Sequence, residues 1–230
     1  MSLTPLASLR LVSEDVRSFT PNGANFERLE SREAAGFVGF EWARLGAWRI
    51  RTGGRLATWR TPTGETRSTA GAVVSARLEP GRRAQGSVEL VSTGDYQLAG
   101  GTLGTRVDAG RLMIAPEVRI GAGRRLPVHL AFELGGNEGF PGLQVGERRG
   151  DRELYARVQT AWQLRGPVAF RLLVAAGRSA DGGSLFEDEG WLAGIRLGLG
   201  ATTLIGPVAF EYGFASNGRR AAFIRVGQWF

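Results

Sequence analysis

The sequence predicts an all-β protein, a closed antiparallel up-and-down transmembrane β-barrel of about twelve strands, built by residues 1–230 as one domain. Three observations predict it. Apolar and polar residues alternate with period two through most of the chain, the mark of strands with one apolar face. The alternating segments run about 10–13 residues, close to the roughly 9–11 of a tilted membrane-spanning strand and well beyond the 5–6 of ordinary sheets. Tight and longer connections alternate along the chain, as they do in a barrel with turns at one end and loops at the other.

The expected strands lie near 5–14, 32–44, 47–60, 67–79, 84–94, 109–120, 125–135, 152–164, 167–177, 189–200, 204–215 and 219–230. Residues 15–31 read as a short helix or a loop. In 47–60, Trp48, Ile50 and Leu56 alternate with Arg49, Arg51 and Arg55. In 125–135, Leu126, Val128, Leu130, Phe132 and Leu134 alternate with Arg125, His129 and Glu133. Further on, Leu154, Ala156, Val158, Thr160, Trp162 and Leu164 oppose Glu153, Tyr155, Arg157, Gln159 and Gln163. Trp191, Ala193, Ile195, Leu197 and Leu199 oppose Gly194, Arg196 and Gly198. In the last segment Ala222, Ile224, Val226 and Phe230 share one parity, and Arg225 and Gly227 take the other. Tight turns are expected at 45–46, 80–83, 121–124, 165–166 and 201–203, and loops at 15–31, 61–66, 95–108, 136–151, 178–188 and 216–218. With an even strand number both termini fall at the turn end, the periplasmic side of an outer-membrane barrel.

Alternation alone also fits a soluble sandwich or a lipocalin-like barrel with a dry centre. Strand length, and aromatics such as Trp162, Trp191 and Phe230 near strand ends, favour lipid on the apolar side. The Arg-bearing parity then lines the interior. Its charges include Arg49, Arg51, Arg55, Arg77, Arg119, Arg157, Arg171, Arg196 and Arg225, against Glu89, Glu117, Glu133, Glu153 and Glu211.

Composition narrows the function classes. Cysteine is absent, which excludes disulfides and thiolate metal sites, and a single histidine, His129, is poor material for a His-based centre. No metal or other cofactor is expected, and no catalytic residues. All 29 basic residues are arginine, and the net charge is +7. The arginines are scattered along alternating segments and form no basic block, so nucleic acid is not an expected partner. Glycine is abundant, with 35 residues and no collagen period. The opening MSLTPLASLRL lacks a basic region followed by a clean apolar run, so an exported protein with this start has its leader upstream of Met1. Glu187, Asp188 and Glu189 read as a solvated loop, Asp181 to Ser184 as turn chemistry, and no G-x-S-x-G elbow occurs.

Residues 134–164, LGGNEGFPGLQVGERRGDRELYARVQTAWQL, resemble the Omp85 superfamily of surface-antigen D15 barrels. The resemblance rests on the pair Gly135-Gly136, the tip Phe140-Pro141-Gly142-Leu143 and the return through Gly150-Asp151-Arg152. The final hairpin, LGLGATTLIGPVAFEYGFASNGRRAAFIRVGQWF, is similar to that family's last two strands. The resemblance implies that loop 136–151 folds back into the lumen. It also implies that the C-terminal strand, through Phe223, Gly227, Gln228 and Phe230, is read by the barrel assembly machinery. The partners it implies are outer-membrane lipid and a polypeptide passenger or an upstream periplasmic domain, which the barrel anchors, assembles or translocates. One departure stands out. The family's tip arginine is replaced by Pro141, which brings the tip closer to barrels attached to patatin-like lipases. The alternative function is a small outer-membrane channel preferring anions, since rings of arginine favour anions in open pores.

Overall fold

The computed structural model describes residues 2–19, 26–45, 48–61, 64–78, 84–135, 139–184, 186, 190–204 and 206–227, with the side chains of 3–13 and 32–42 in the first hairpin. Fifteen strands and one 3-10 turn follow in chain order: β1 Ser2–Phe19, β2 Phe26–Leu45, β3 Trp48–Arg60, β4 Thr66–Leu78, β5 Ala84–Thr93, β6 Gln97–Thr105, β7 Val107–Ala109, β8 Leu112–Arg124, the turn Val128–Leu130, β9 Phe132–Leu134, β10 Arg148–Gly150, β11 Arg152–Gln163, β12 Val168–Ala180, β13 Leu192–Thr203, β14 Gly206–Ala215 and β15 Arg220–Val226.

Twelve of these form one antiparallel meander, β1-β2-β3-β4-β5-β6-β8-β11-β12-β13-β14-β15, with β7 added beside β8. The all-β fold and the up-and-down order are as the alternation predicts. Among the described residues the path ends at β1 and β15, which share no ladder. The start of β1 and the end of β15 lie at the same end of the sheet: Ser2 pairs with Ala43 near the β2–β3 connection, and Val226 with Val208 near the β13–β14 connection.

The strand number matches for a reason the sequence reading did not contain, because two errors offset each other. Residues 95–108 were expected as a loop, yet β6 occupies 97–105 and pairs with both β5 and β8. Its sequence, QLAGGTLGT, has three glycines and too little apolar alternation to register. Conversely, 125–135 is no wall strand. Strand β8 runs through the expected turn at 121–124, and the chain then leaves the sheet at Arg125, whose φ is +55°. Leu126, Leu130 and Leu134 do not face outward with a lipid-side parity. Leu134 is fully buried, and Leu126 and Leu130 pack against an inner apolar cluster. Period two arises in this segment from a 3-10 turn and a three-residue strand, so the pattern was real and its reading was wrong. Residues 15–19 and 26–31, expected in a short helix or a loop, instead continue β1 and β2 as a paired ribbon to Phe19 and Phe26; 20–25 lie outside the described residues.

Elsewhere the parity reading holds, and it is inside out relative to a soluble protein. Val158, Trp162, Ile195, Leu197, Leu199, Ile224 and Val226 are exposed, whereas Arg171, Arg196, Glu211 and Arg225 are buried. Segment 125–150 packs on the buried face and reaches both flanks of the sheet. His129 meets Trp59 of β3, and Gly142 meets the backbone of β14.

Candidate functional site

The candidate site is the interior, and its centrepiece is segment 125–150. Inward glycines make room for it. A Cβ at Gly121 would collide with the Phe132 ring, and one at Gly123 with Leu126. The base of the segment packs on β2–β6, where Ala35, Ala57, Trp59, Val73, Val91 and Tyr96 form a buried cluster joined by Phe37, Leu98, Leu126 and Leu130. Tyr96 stands edge-on to Trp59, ring centroids 6.0 Å apart. Burial pushes its phenol up, and the nearby Arg55 guanidinium pulls it back. Charged wall residues also reach this cluster: Glu33 pairs with Arg55 and lies 3.6 Å from His129 Nε2. His129 thus points inward, as expected, but its neighbours are Glu33 and Trp59 rather than Glu133.

The segment then pairs with itself. Strands β9 and β10 form a short hairpin stem in which Arg149 donates to Glu133 at 2.9 Å and to the Val128 carbonyl at 3.1 Å. Glu133 therefore belongs to this segment's own hairpin and not to a strand of the main sheet. Asp151 closes the stem onto the sheet: its carbonyl accepts from Gly123 N–H at 2.6 Å and its carboxylate from Gly182 N–H at 2.7 Å. Gly150 passes so close to Ala180 that a Cβ there would strike its backbone, and Arg152 begins β11.

The tip is the most enclosed part. Phe140 and Leu143 have no exposed surface, and Pro141 is as deeply buried. They pack with Leu134, Tyr155, Leu173, Ala175, Leu192 and Ala215. Beneath them Gly194 and Gly213 form a flat shelf, for a Cβ on Gly194 would sit 2.8 Å from the Phe140 ring and one on Gly213 2.5 Å from Gly142 N. Gly135 and Gly142 take positive φ of 130° and 78°, conformations that suit glycine alone. Gly136 lies outside the described residues. Glu147 anchors the return arm: it pairs with Arg219 of the β14–β15 turn at 2.6 Å and accepts from Gln144 N–H at 2.9 Å.

Below the tip, three guanidiniums converge on one carboxylate. Glu211 of β14 receives Arg171 Nε at 2.9 Å, Arg225 Nε at 3.1 Å and Arg196 Nη1 at 3.6 Å. Gly198 stands between Arg171 and Glu211 in the register, which leaves the gap that the guanidinium crosses. Arg196 also lies over the Phe223 ring at 3.8 Å and donates to the carbonyls of Gly139 and Phe140. On β8 and β11, Glu117 pairs with Arg157, and Glu153 with Arg119, each at 2.9 Å.

The expected lumen charges Arg157, Arg171, Arg196, Glu211 and Arg225 thus share the interior. Arg49 and Arg51 lie on the same face but at the turn-end mouth, where both approach Glu41 and stay 41% and 47% exposed. Phe223 is a floor for Arg196, and Gly227 has a φ of +103°. Gln228, Phe230 and the acidic run Glu187, Asp188 and Glu189 lie outside the described residues. Sequence reading missed Glu147, Arg219 and the shelf glycines Gly194 and Gly213 as tip contacts. Glu147 and Arg219 are 72 residues apart, and no local pattern links them. Among the described residues no group of three His, Cys, Asp or Glu could hold a metal, and no helix is long and apolar enough to cross a membrane.

This geometry has a counterpart among solved structures. BamA from Haemophilus ducreyi, in a crystal structure lacking POTRA domains 1–3, superposes over 96% of the chain with a TM-score of 0.68 at 10% identity. The chain shares the fold of the matched part of that BamA chain. The chain spans 60% of that BamA chain. CdiB from Acinetobacter baumannii also matches over 96% of the chain and 58% of its own, at 12% identity and a TM-score of 0.42. No protein-family model matches the chain, and no curated protein matches it in sequence.

Proposed function

We propose that this Omp85-type chain is a bacterial outer-membrane β-barrel, plugged by its own segment 125–150, that anchors, assembles or translocates a partner polypeptide. It carries out no chemistry and needs no cofactor. The observation that carries the reading is the inverted burial, with an exposed apolar face and a buried charged one. On β3 and β4 the outer face is largely apolar from Leu56 and Ala70 to Trp48 and Leu78. It turns polar at Thr58 and Ser68, whose hydroxyls meet at 2.9 Å. That band of nine residues is what a tilted bilayer crossing requires, roughly 9–11.

Closure follows from the solvent. No backbone group stays unpaired in hydrocarbon, so the edges of β1 and β15 must pair. The meander makes those two edges antiparallel, as closure demands. Barrel assembly machinery reads the last strand in this proposal, and both termini sit in the periplasm. A lipase-type or other domain upstream of Met1 fits the Gly142-Leu143 tip.

The test is the full chain purified in detergent and reconstituted in planar bilayers. Heat-modifiable gel mobility is expected, with little conductance until residues 136–149 are replaced by a short Gly-Ser linker. A monodisperse protein without detergent would sink the membrane reading. Steady conductance with the segment intact would favour the second reading, a small channel preferring anions. That reading is motivated by the excess of arginine over glutamate on the inner face.

A further inference from the structure

The plug is held by two kinds of contact, and one of them fixes its depth. The apolar contacts of Phe140 and Leu143 are non-directional and tolerate small slides. The tip itself is Gly139-Phe140-Pro141-Gly142; Phe140 O accepts from Leu143 N–H at 3.4 Å within the segment, and the buried carbonyls of Gly139 and Phe140 also take donors from the wall. Two side chains supply them. Tyr155 Oη donates to Gly139 O at 3.3 Å. Arg196 Nη2 donates to Gly139 O at 3.3 Å and to Phe140 O at 3.4 Å.

Arg196 is held on its remaining sides. It is 1% exposed, lies over the Phe223 ring at 3.8 Å, and faces Glu211 at 3.6 Å. Glu211 is fixed in turn by Arg171 from β12 and Arg225 from β15. One carboxylate on β14 therefore ties together three other strands and orients the guanidinium that meets the tip. A guanidinium suits the task because its rigid plane spreads five donors over three nitrogens, so that Nη1 faces Glu211 while Nη2 meets the tip; a lysine ammonium gathers its three donors on one nitrogen.

We propose that Arg196 is a positioning residue for the plug, a catch on the barrel wall set by Glu211, and that loss of its fork unseats the tip while the barrel stays assembled. This rests on the reading of 125–150 as a plug. The chain has no cysteine, so Leu143→Cys installs a single reporter thiol at a site with no exposed surface. The full chain in proteoliposomes is treated with a membrane-impermeant maleimide and its labelling rate is measured, with heat-modifiable mobility as the check on assembly.

The expected result is slow labelling with Arg196 intact and at least tenfold faster labelling with Arg196→Gln, with mobility unchanged. Arg196→Lys keeps the charge toward Glu211 and loses the fork, so an intermediate rate is expected. Equal, slow rates in all three proteins would overturn the catch and leave the plug standing. Fast labelling with Arg196 intact would overturn the plug and the catch together. Should Arg196→Gln fail to assemble, the Lys variant decides alone: a faster rate supports the catch, and an unchanged rate overturns it.

Discussion

The two ends of segment 125–150 are held by different chemistry. Its base lies on β2–β6 against Trp59, Tyr96 and small inward residues, with the wall carboxylate of Glu33 close by. Its tip lies on β11–β15, over a glycine shelf and beside the arginine cluster on Glu211. The base resembles an ordinary protein core, where burying apolar area does most of the work. The tip combines apolar side chains with directed polar contacts to its backbone. Apolar packing sets how strongly the segment is retained, and directed contacts set where it stops.

The largest expected effect is at the tip's apolar anchor. Phe140→Ala removes a fully buried ring, and such truncations cost about 3–5 kcal/mol in well-packed sites. Conductance in bilayers should rise toward that of the loop deletion, and a silent variant would show that the base alone closes the interior. Trp59→Ala tests the other end at about 3 kcal/mol or more. It should lower the midpoint of urea unfolding while Leu143→Cys stays protected; exposure of that thiol would show that base and tip are one unit.

A charge on the outer face separates the walls from the plug. Val174→Arg on the exposed face of β12 should cost about 2–4 kcal/mol if the site lies near the bilayer midplane, seen as poorer refolding into vesicles. Refolding equal to that of the unsubstituted chain would place Val174 away from lipid. The smallest effect is expected at the mouth. Glu41→Gln removes the partner of two half-exposed arginines, and exposed pairs contribute about 0–1 kcal/mol. A loss well beyond that in the unfolding midpoint would mean the mouth is as tightly built as the tip.

Much of the fold was legible because two-residue periodicity reports a sheet face directly. Val158, Ile195, Arg171 and Arg196 all lie on the sides that alternation assigned. Alternation and wall strands part company in two places. Segment 125–135 alternates without being a wall strand, and β6 is a wall strand with weak alternation, since glycine fills three of its nine positions. For the site, the tip residues Phe140 to Leu143 and the charges of β11–β15 were each identified, but the convergence of Arg171, Arg196 and Arg225 on Glu211 was not. Convergence depends on register, and register between strands is not written in any one of them.

The sequence by itself determined which side of each strand is apolar and which is charged, because side chains alternate across a strand whatever its neighbours are. It also marked Phe140-Pro141-Gly142-Leu143 as a short apolar stretch bearing a glycine. Only the tertiary structure decided that this tip rests on Gly194 and Gly213, that Arg196 meets its carbonyls, and that Glu147 reaches Arg219. Those contacts join residues far apart in the chain, and they exist because neighbouring strands of one meander present a buried face to a segment that leaves the sheet and returns to it.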